Sequence, residues 1–180
     1  MTPTVSLFIL GSGEIALCLA RLATNIGYKI SVSDAHTDAR QWPGEAEIYQ
    51  QHYVDQPWEL PTGTHAIIAR GHEGDPESLA CLLNQDTDRV YLIASARRAQ
   101  NAINEARKNI KDPQRLNKLS APAGLELGGN GSMEIALSIL AEIQMRRYQA
   151  SGLPLTELRT RGIQKKQSIR KDNECPGKRT

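Results

Sequence analysis

Apolar residues recur along this chain in two alternating patterns. Short apolar stretches at 5–10, 30–33, 65–69 and 90–94 are bounded by turn residues, as expected of strands buried within a sheet. A further short strand is expected at 47–50. Between the strands lie runs with helical spacing, at 14–26, from Asp75 to about 83, at 97–108, at 112–119 and at 132–148. In the last of these, Ile135, Leu137, Ile139, Leu140 and Ile143 give a broad apolar face. Asp75 is the expected N-cap of its helix, with Pro76 and Glu77 suited to the first turn; Ser132 is the expected cap of the final helix, with Glu134 just inside it. Gln41-Trp42-Pro43-Gly44 reads as a turn. Strands alternating with helices call for an α/β fold: a three-layer, Rossmann-like, doubly wound and mainly parallel sheet in a single domain.

The first strand carries the clearest chemistry. It ends on Gly11, and Gly11-Ser12-Gly13-Glu14-Ile15-Ala16 completes a G-x-G-x-x-A pattern at the start of the first helix. Such a loop lets a phosphate approach the backbone and meet the positive end of the helix. Gly11 would permit the tight turn, Gly13 the close approach, and Ala16 the packing of helix on strand. Asp34 follows about 20 residues later, at the end of the second strand, where a carboxylate can accept hydrogen bonds from a ribose diol. It would repel a 2′-phosphate, so a dinucleotide held here would be NAD(H). The competing reading is that the glycines shape only a turn and that Asp34 begins another.

Composition narrows the setting. The 180 residues suit one compact domain. There is no long apolar span and no signal-peptide pattern at the start, so a cytoplasmic protein with no membrane partner is expected. Cys18, Cys81 and Cys175 match neither a disulfide framework nor a metal-ligand spacing. Cys18 and Cys81 fall within helices and are expected to be core or half-buried thiols, and no metal site is assigned. The net charge of +2 is uneven: residues 159–180 hold eight basic and two acidic residues, so residues 1–158 carry a net −4. The chain therefore divides into a folded domain at 1–150 and a basic, flexible tail at 151–180. Without aromatic interleaving or a recognition motif, nucleic acid is not the expected partner.

Three blocks together resemble the C-terminal Rossmann domain of the xanthine dehydrogenase accessory factor (XdhC/CoxI) family. They are the Gly11-Ser12-Gly13 loop, the strand-terminal Arg70-Gly71-His72-Glu73-Gly74-Asp75, and Ala121-Pro122-Ala123-Gly124-Leu125-Glu126-Leu127-Gly128 with the helix beginning near Glu134-Ile135-Ala136. The resemblance spans about residues 4–150 and the blocks keep the family's order. It implies a factor that receives, protects or delivers molybdopterin (the molybdenum cofactor) to a xanthine dehydrogenase-like molybdenum hydroxylase, its client enzyme. On that reading Gly11, Ser12, Gly13 and Glu14 would hold a phosphate. Arg70, with Gly71, could make a charge-assisted contact to phosphate or a pterin carbonyl. His72 would donate a hydrogen bond or exchange a proton, while Ser95, Pro122 and Gly124 would lie beside the ligand. The family's Gly-Ser-Arg element is Ala94-Ser95-Ala96 here, which removes a phosphate partner unless Arg97 or Arg98 replaces it.

No arrangement of nucleophile and base is recognisable, and no catalytic residue is assigned. Three functions therefore stand: an accessory factor for a molybdenum hydroxylase, an NAD-dependent oxidoreductase using Gly11, Gly13 and Asp34, and a nucleotide-sensing interaction module whose basic tail engages an acidic partner. The second would need its substrate pocket completed elsewhere, for which a homodimer would serve.

Overall fold

The structure, a computed structural model, describes residues 5–71 and 74–159. Six strands form one sheet: β1 (Ser6–Leu10), β2 (Lys29–Ser33), β3 (Glu47–Tyr49), β4 (His65–Ile68), β5 (Arg89–Leu92) and β6 (Leu119–Ser120), in the order β3-β2-β1-β4-β5-β6 with every pair parallel. Helices α1 (Glu14–Asn25), α2 (Asp75–Leu83), α3 (Ala96–Ala106) and α4 (Ser132–Arg147) alternate with them. This is the doubly wound Rossmann arrangement, and it reverses direction between β1 and β4, leaving a crevice outside the carboxyl ends of those strands.

Strand β1 shows why the sheet is covered on both sides. Leu7 and Ile9 join a core beneath α1 and α4, whereas Phe8 and Leu10 join another beneath α2 and α3, and all four are buried. A side chain every second residue on each face is the strand's own period. The connection from β3 to β4 brings no helix among the described residues. Its place on the sheet is filled by Tyr53 and Trp58, whose rings stand 4.8 and 5.8 Å from Phe8. The Tyr53 hydroxyl donates to the Trp58 carbonyl at 2.8 Å, and its backbone N–H donates to Ser33 Oγ at 3.1 Å. No helix is long and apolar enough to cross a membrane among the described residues.

Three local expectations are corrected. Gly74, in the left-handed conformation with φ of +72°, is the N-cap of α2. Asp75 lies one residue further in, and its buried carboxylate turns sideways to accept from Arg98 Nε at 3.0 Å. Gly131, not Ser132, is the N-cap of α4. There the Glu134 carboxylate reaches back to accept from the N–H groups of Gly131 and Asn130, at 2.9 and 3.0 Å, satisfying donors that a serine cap would leave to water. The helix expected at 112–119 is a 3₁₀ segment, Pro113–Lys118, which runs directly into β6. Arg115 ties it to the Leu83 and Gln85 carbonyls and Lys118 to that of Thr87, which fixes the short, tight form against the end of α2. Cys18 is buried and Cys81 half-buried, and both are free thiols.

Candidate functional site

The crevice at the switch point is a cleft of about 440 Å³, within the size range of small-molecule sites. Its floor is the β1–α1 loop. Gly11 closes the turn with φ of +114°, and its N–H donates to the Ser33 carbonyl at 3.0 Å. A Cβ at Gly11 would lie 2.4 Å from the Ala69 carbonyl oxygen, so this glycine is required by the adjoining end of β4.

Gly13 is different. It is the N-cap of α1, with ordinary extended backbone (φ −67°, ψ 173°), no side-chain cap, and nothing within 4 Å of the position its Cβ would take. Its carbonyl accepts the first helical bond, from Leu17, leaving the N–H groups of the first turn directed at the cleft without helical partners. The exposed Glu14 begins the helix, where its charge favours the positive dipole end.

On the β2 side stands Asp34, whose oxygens accept from Ser12 Oγ at 2.9 Å and from the His36 N–H at 2.9 Å. Each oxygen keeps a lone pair for a ligand donor. Opposite, Arg70 leaves the end of β4 and lies over the start of α2. A Cβ on Gly74 would come within 2.9 Å of its Nη1, so the missing side chain makes room for the guanidinium. Arg98, one turn into α3, completes the wall. Asp75 holds its Nε and the Ile93 carbonyl accepts from its Nη2, fixing its approach to the cleft. Two guanidinium groups, a helix N-terminus and the carboxylates of Asp34 and Glu14 thus surround the cleft, of which Asp34 is held in place by hydrogen bonds.

Of the residues singled out in the sequence, Ser12, Gly13, Glu14, Asp34, Arg70 and Gly71 line this cleft. Gly11 sits behind it. His72 lies outside the described residues. Ser95 is exposed and caps α3, accepting from the Arg98 N–H at 3.3 Å. Pro122 and Gly124 are not on the cleft wall: Gly124 packs on α4, where a Cβ would stand 2.5 Å from Ser138 Oγ. Their place is taken by Ser132 at the start of α4. Of the two arginines that follow the altered Gly-Ser-Arg element, Arg98 faces the cleft and Arg97 is exposed. Helical spacing could have separated them, since Arg98 shares a face with the buried Ala102 and Ala106 that follow it at helical intervals.

The comparisons with known proteins agree with this architecture. The XdhC Rossmann domain matches over residues 7–143. The chain is 25% identical over 152 residues to an Escherichia coli protein, "Uncharacterized protein YqeB", covering 81% of this chain and 28% of that one. It is 24% identical over 155 residues to a probable xanthine dehydrogenase subunit of Bacillus subtilis, covering 83% of this chain and 45% of that one. A crystal structure described as a xanthine dehydrogenase from Bacillus halodurans shares the fold with a TM-score of 0.69 at 24% identity, over 84% of this chain and 48% of that one. The chain therefore spans less than half the length of each of these relatives. By the family match across most of its length, it belongs to the XdhC Rossmann-domain family.

Proposed function

We propose that this chain is the cofactor-holding module of an accessory factor that serves a xanthine dehydrogenase-type molybdenum hydroxylase, with molybdopterin as its ligand. Gly13 carries the reading. The fold does not need a glycine there, and a side chain would project over the helix N-terminus where an anion belongs. The residues present fit such a ligand. The first-turn N–H groups of α1 would receive its phosphate, and Arg70 and Arg98 would add charge-assisted bonds. Asp34, oriented by Ser12, would accept from the amino and ring N–H groups of a pterin. When bound, molybdopterin supplies the dithiolene sulfurs that carry molybdenum. The chain's own part is to hold, orient and shield the organic ends.

Asp34 also supports a second reading, in which the ligand is NAD(H) and the carboxylate accepts from a ribose diol. Native mass spectrometry of protein purified anaerobically from a molybdenum-replete host separates the two. A retained molybdopterin mass supports the first, an NAD mass the second, and an empty protein that binds neither in titration removes both.

Gly13→Asp provides the matching mutational test. An aspartate at this N-cap would accept from a first-turn N–H and stabilise α1 by a few tenths of a kcal/mol. It would also place a carboxylate in the anion site. The expected result is an unchanged or slightly raised unfolding midpoint with ligand affinity reduced at least about a hundredfold, the scale of an unpaired like-charge contact. Retained affinity in a folded variant would remove the phosphate assignment.

A further inference from the structure

A second cavity, of about 670 Å³, opens at the opposite, amino-terminal edge of the sheet. Its walls are the first residues of β4 and β5, His65 and Arg89, and the carboxyl end of α4 with Arg146 and Arg147. We propose that this cavity is a second ligand site, for a small multiply charged oxyanion such as a phosphate ester or a di- or tricarboxylate.

Charge is the first ground. Three guanidinium groups share the cavity with the single lining carboxylate of Asp88, and Glu142 lies behind Arg146, accepting from its Nε at 2.7 Å. Each arginine is held in place. Arg89 Nη1 donates to the Leu119 carbonyl at 3.3 Å, and Arg147 lies over the rings of Tyr28 and Tyr148, 5.7 and 5.2 Å from their centroids. Guanidinium groups already held in place lose less freedom when they take up carboxylate or phosphate oxygens.

His65 is the second ground. Its side chain is 7% exposed, and its Nδ1, although 3.4 Å from Asp88 Oδ2, makes no hydrogen bond. Burial lowers its pKa, with Arg89 and Arg147 adding to this against the pull of Asp88. A buried polar atom without a hydrogen bond at the wall of a polar cavity is a group awaiting a partner. Gln149, on the cavity rim, takes φ of +50° because it closes α4: its N–H donates to the Arg146 carbonyl at 3.1 Å and the Ala150 N–H to that of Met145 at 2.8 Å, so the rim is an ordinary helix end.

This site lies at the edge of the sheet opposite the switch-point cleft and stands independently of the function proposed for that cleft. The test is a titration of the full chain, labelled in its histidine rings, with pyrophosphate and with citrate. The expected result is a saturable shift of the His65 resonance with at least one probe, the tighter of the two assigning phosphate or carboxylate as the recognised group. Arg89→Gln and Arg147→Gln should each weaken that binding about tenfold or more. Gly13→Asp, which blocks only the other cleft, should leave it unchanged. Absence of any His65 shift with both probes would overturn the proposal, as would loss of the shift in folded Gly13→Asp protein.

Discussion

Replacing Gly11 with alanine should destabilise the protein by about 2–6 kcal/mol, a large fraction of the ~5–15 kcal/mol that holds a domain of this size together. Two effects combine. An L-residue at φ of +114° is strained, at a cost of about 1–3 kcal/mol. The new methyl would also stand 2.4 Å from the Ala69 carbonyl oxygen and 2.7 Å from its carbon. Those atoms are backbone, fixed by the Ala69 N–H bond to the Leu10 carbonyl at 2.8 Å, so relief requires β1 and β4 to separate. Overpacking of this kind adds about 1–3 kcal/mol. Urea unfolding would show a lower midpoint with an unchanged slope. Gly13→Ala, where no atom lies within 4 Å, serves as the comparison and should cost no more than about 1 kcal/mol, the preference of an N-cap for glycine over alanine. A loss below ~1 kcal/mol at Gly11 would mean that the strand ends tolerate separation.

The two glycines mark how far the sequence could be read. The G-x-G-x-x-A pattern located the loop, and the sequence pattern located five of the six strands and the four α-helices but not β6, because those signals are local. What the pattern could not assign was cause: Gly11 answers to Ala69, 58 residues away in the chain, and Gly13 to nothing within the protein. Asp75 illustrates the same limit. In a sequence, an aspartate before a proline and a helical run reads as a cap. Its ion pair with Arg98 spans 23 residues and decides that it turns inward instead. That pairing also fixes Arg98 at the cleft, so one tertiary contact accounts both for a misplaced cap and for a cleft residue that the sequence could only narrow to two arginines. The motif points Pro122 and Gly124 to the site, yet neither lines the cleft: Gly124 packs on α4 and Pro122 is exposed. Glu142 belongs to the same block and is buried with three hydrogen-bond partners, which no local rule signals.

Glu142 yields the second large effect. It is 4% exposed on the inner face of α4. Its Oε1 accepts from Ser120 Oγ at 2.8 Å and Arg146 Nε at 2.7 Å, and its Oε2 accepts from the Gly124 N–H at 2.8 Å. One carboxylate thus ties β6, the loop that follows it and α4 together. Burial pushes its pKa upward, but the bonds from Gly124, Arg146 and Ser120 outweigh burial and hold it below its ordinary value of 4.5. Glu142→Gln keeps the shape yet turns an N–H₂ toward one set of donors, leaving at least one of them unmatched whichever way the amide is placed. The expected cost is about 2–4 kcal/mol near neutral pH. Little of it comes from the charge of Arg146, whose side chain is 41% exposed and therefore screened.

Because the folded pKa lies below the unfolded one, ionised Glu142 contributes its full stability above about pH 4.5 and loses it as the pH falls through the lower folded value. The gap in unfolding free energy between wild type and Glu142→Gln should hold steady from neutral pH down to about that point, then narrow with further acidification. A gap unchanged across the acid range would show that the bonds do not depend on the carboxylate charge. A gap near zero at neutral pH would show that β6 and α4 are held by their apolar contacts alone.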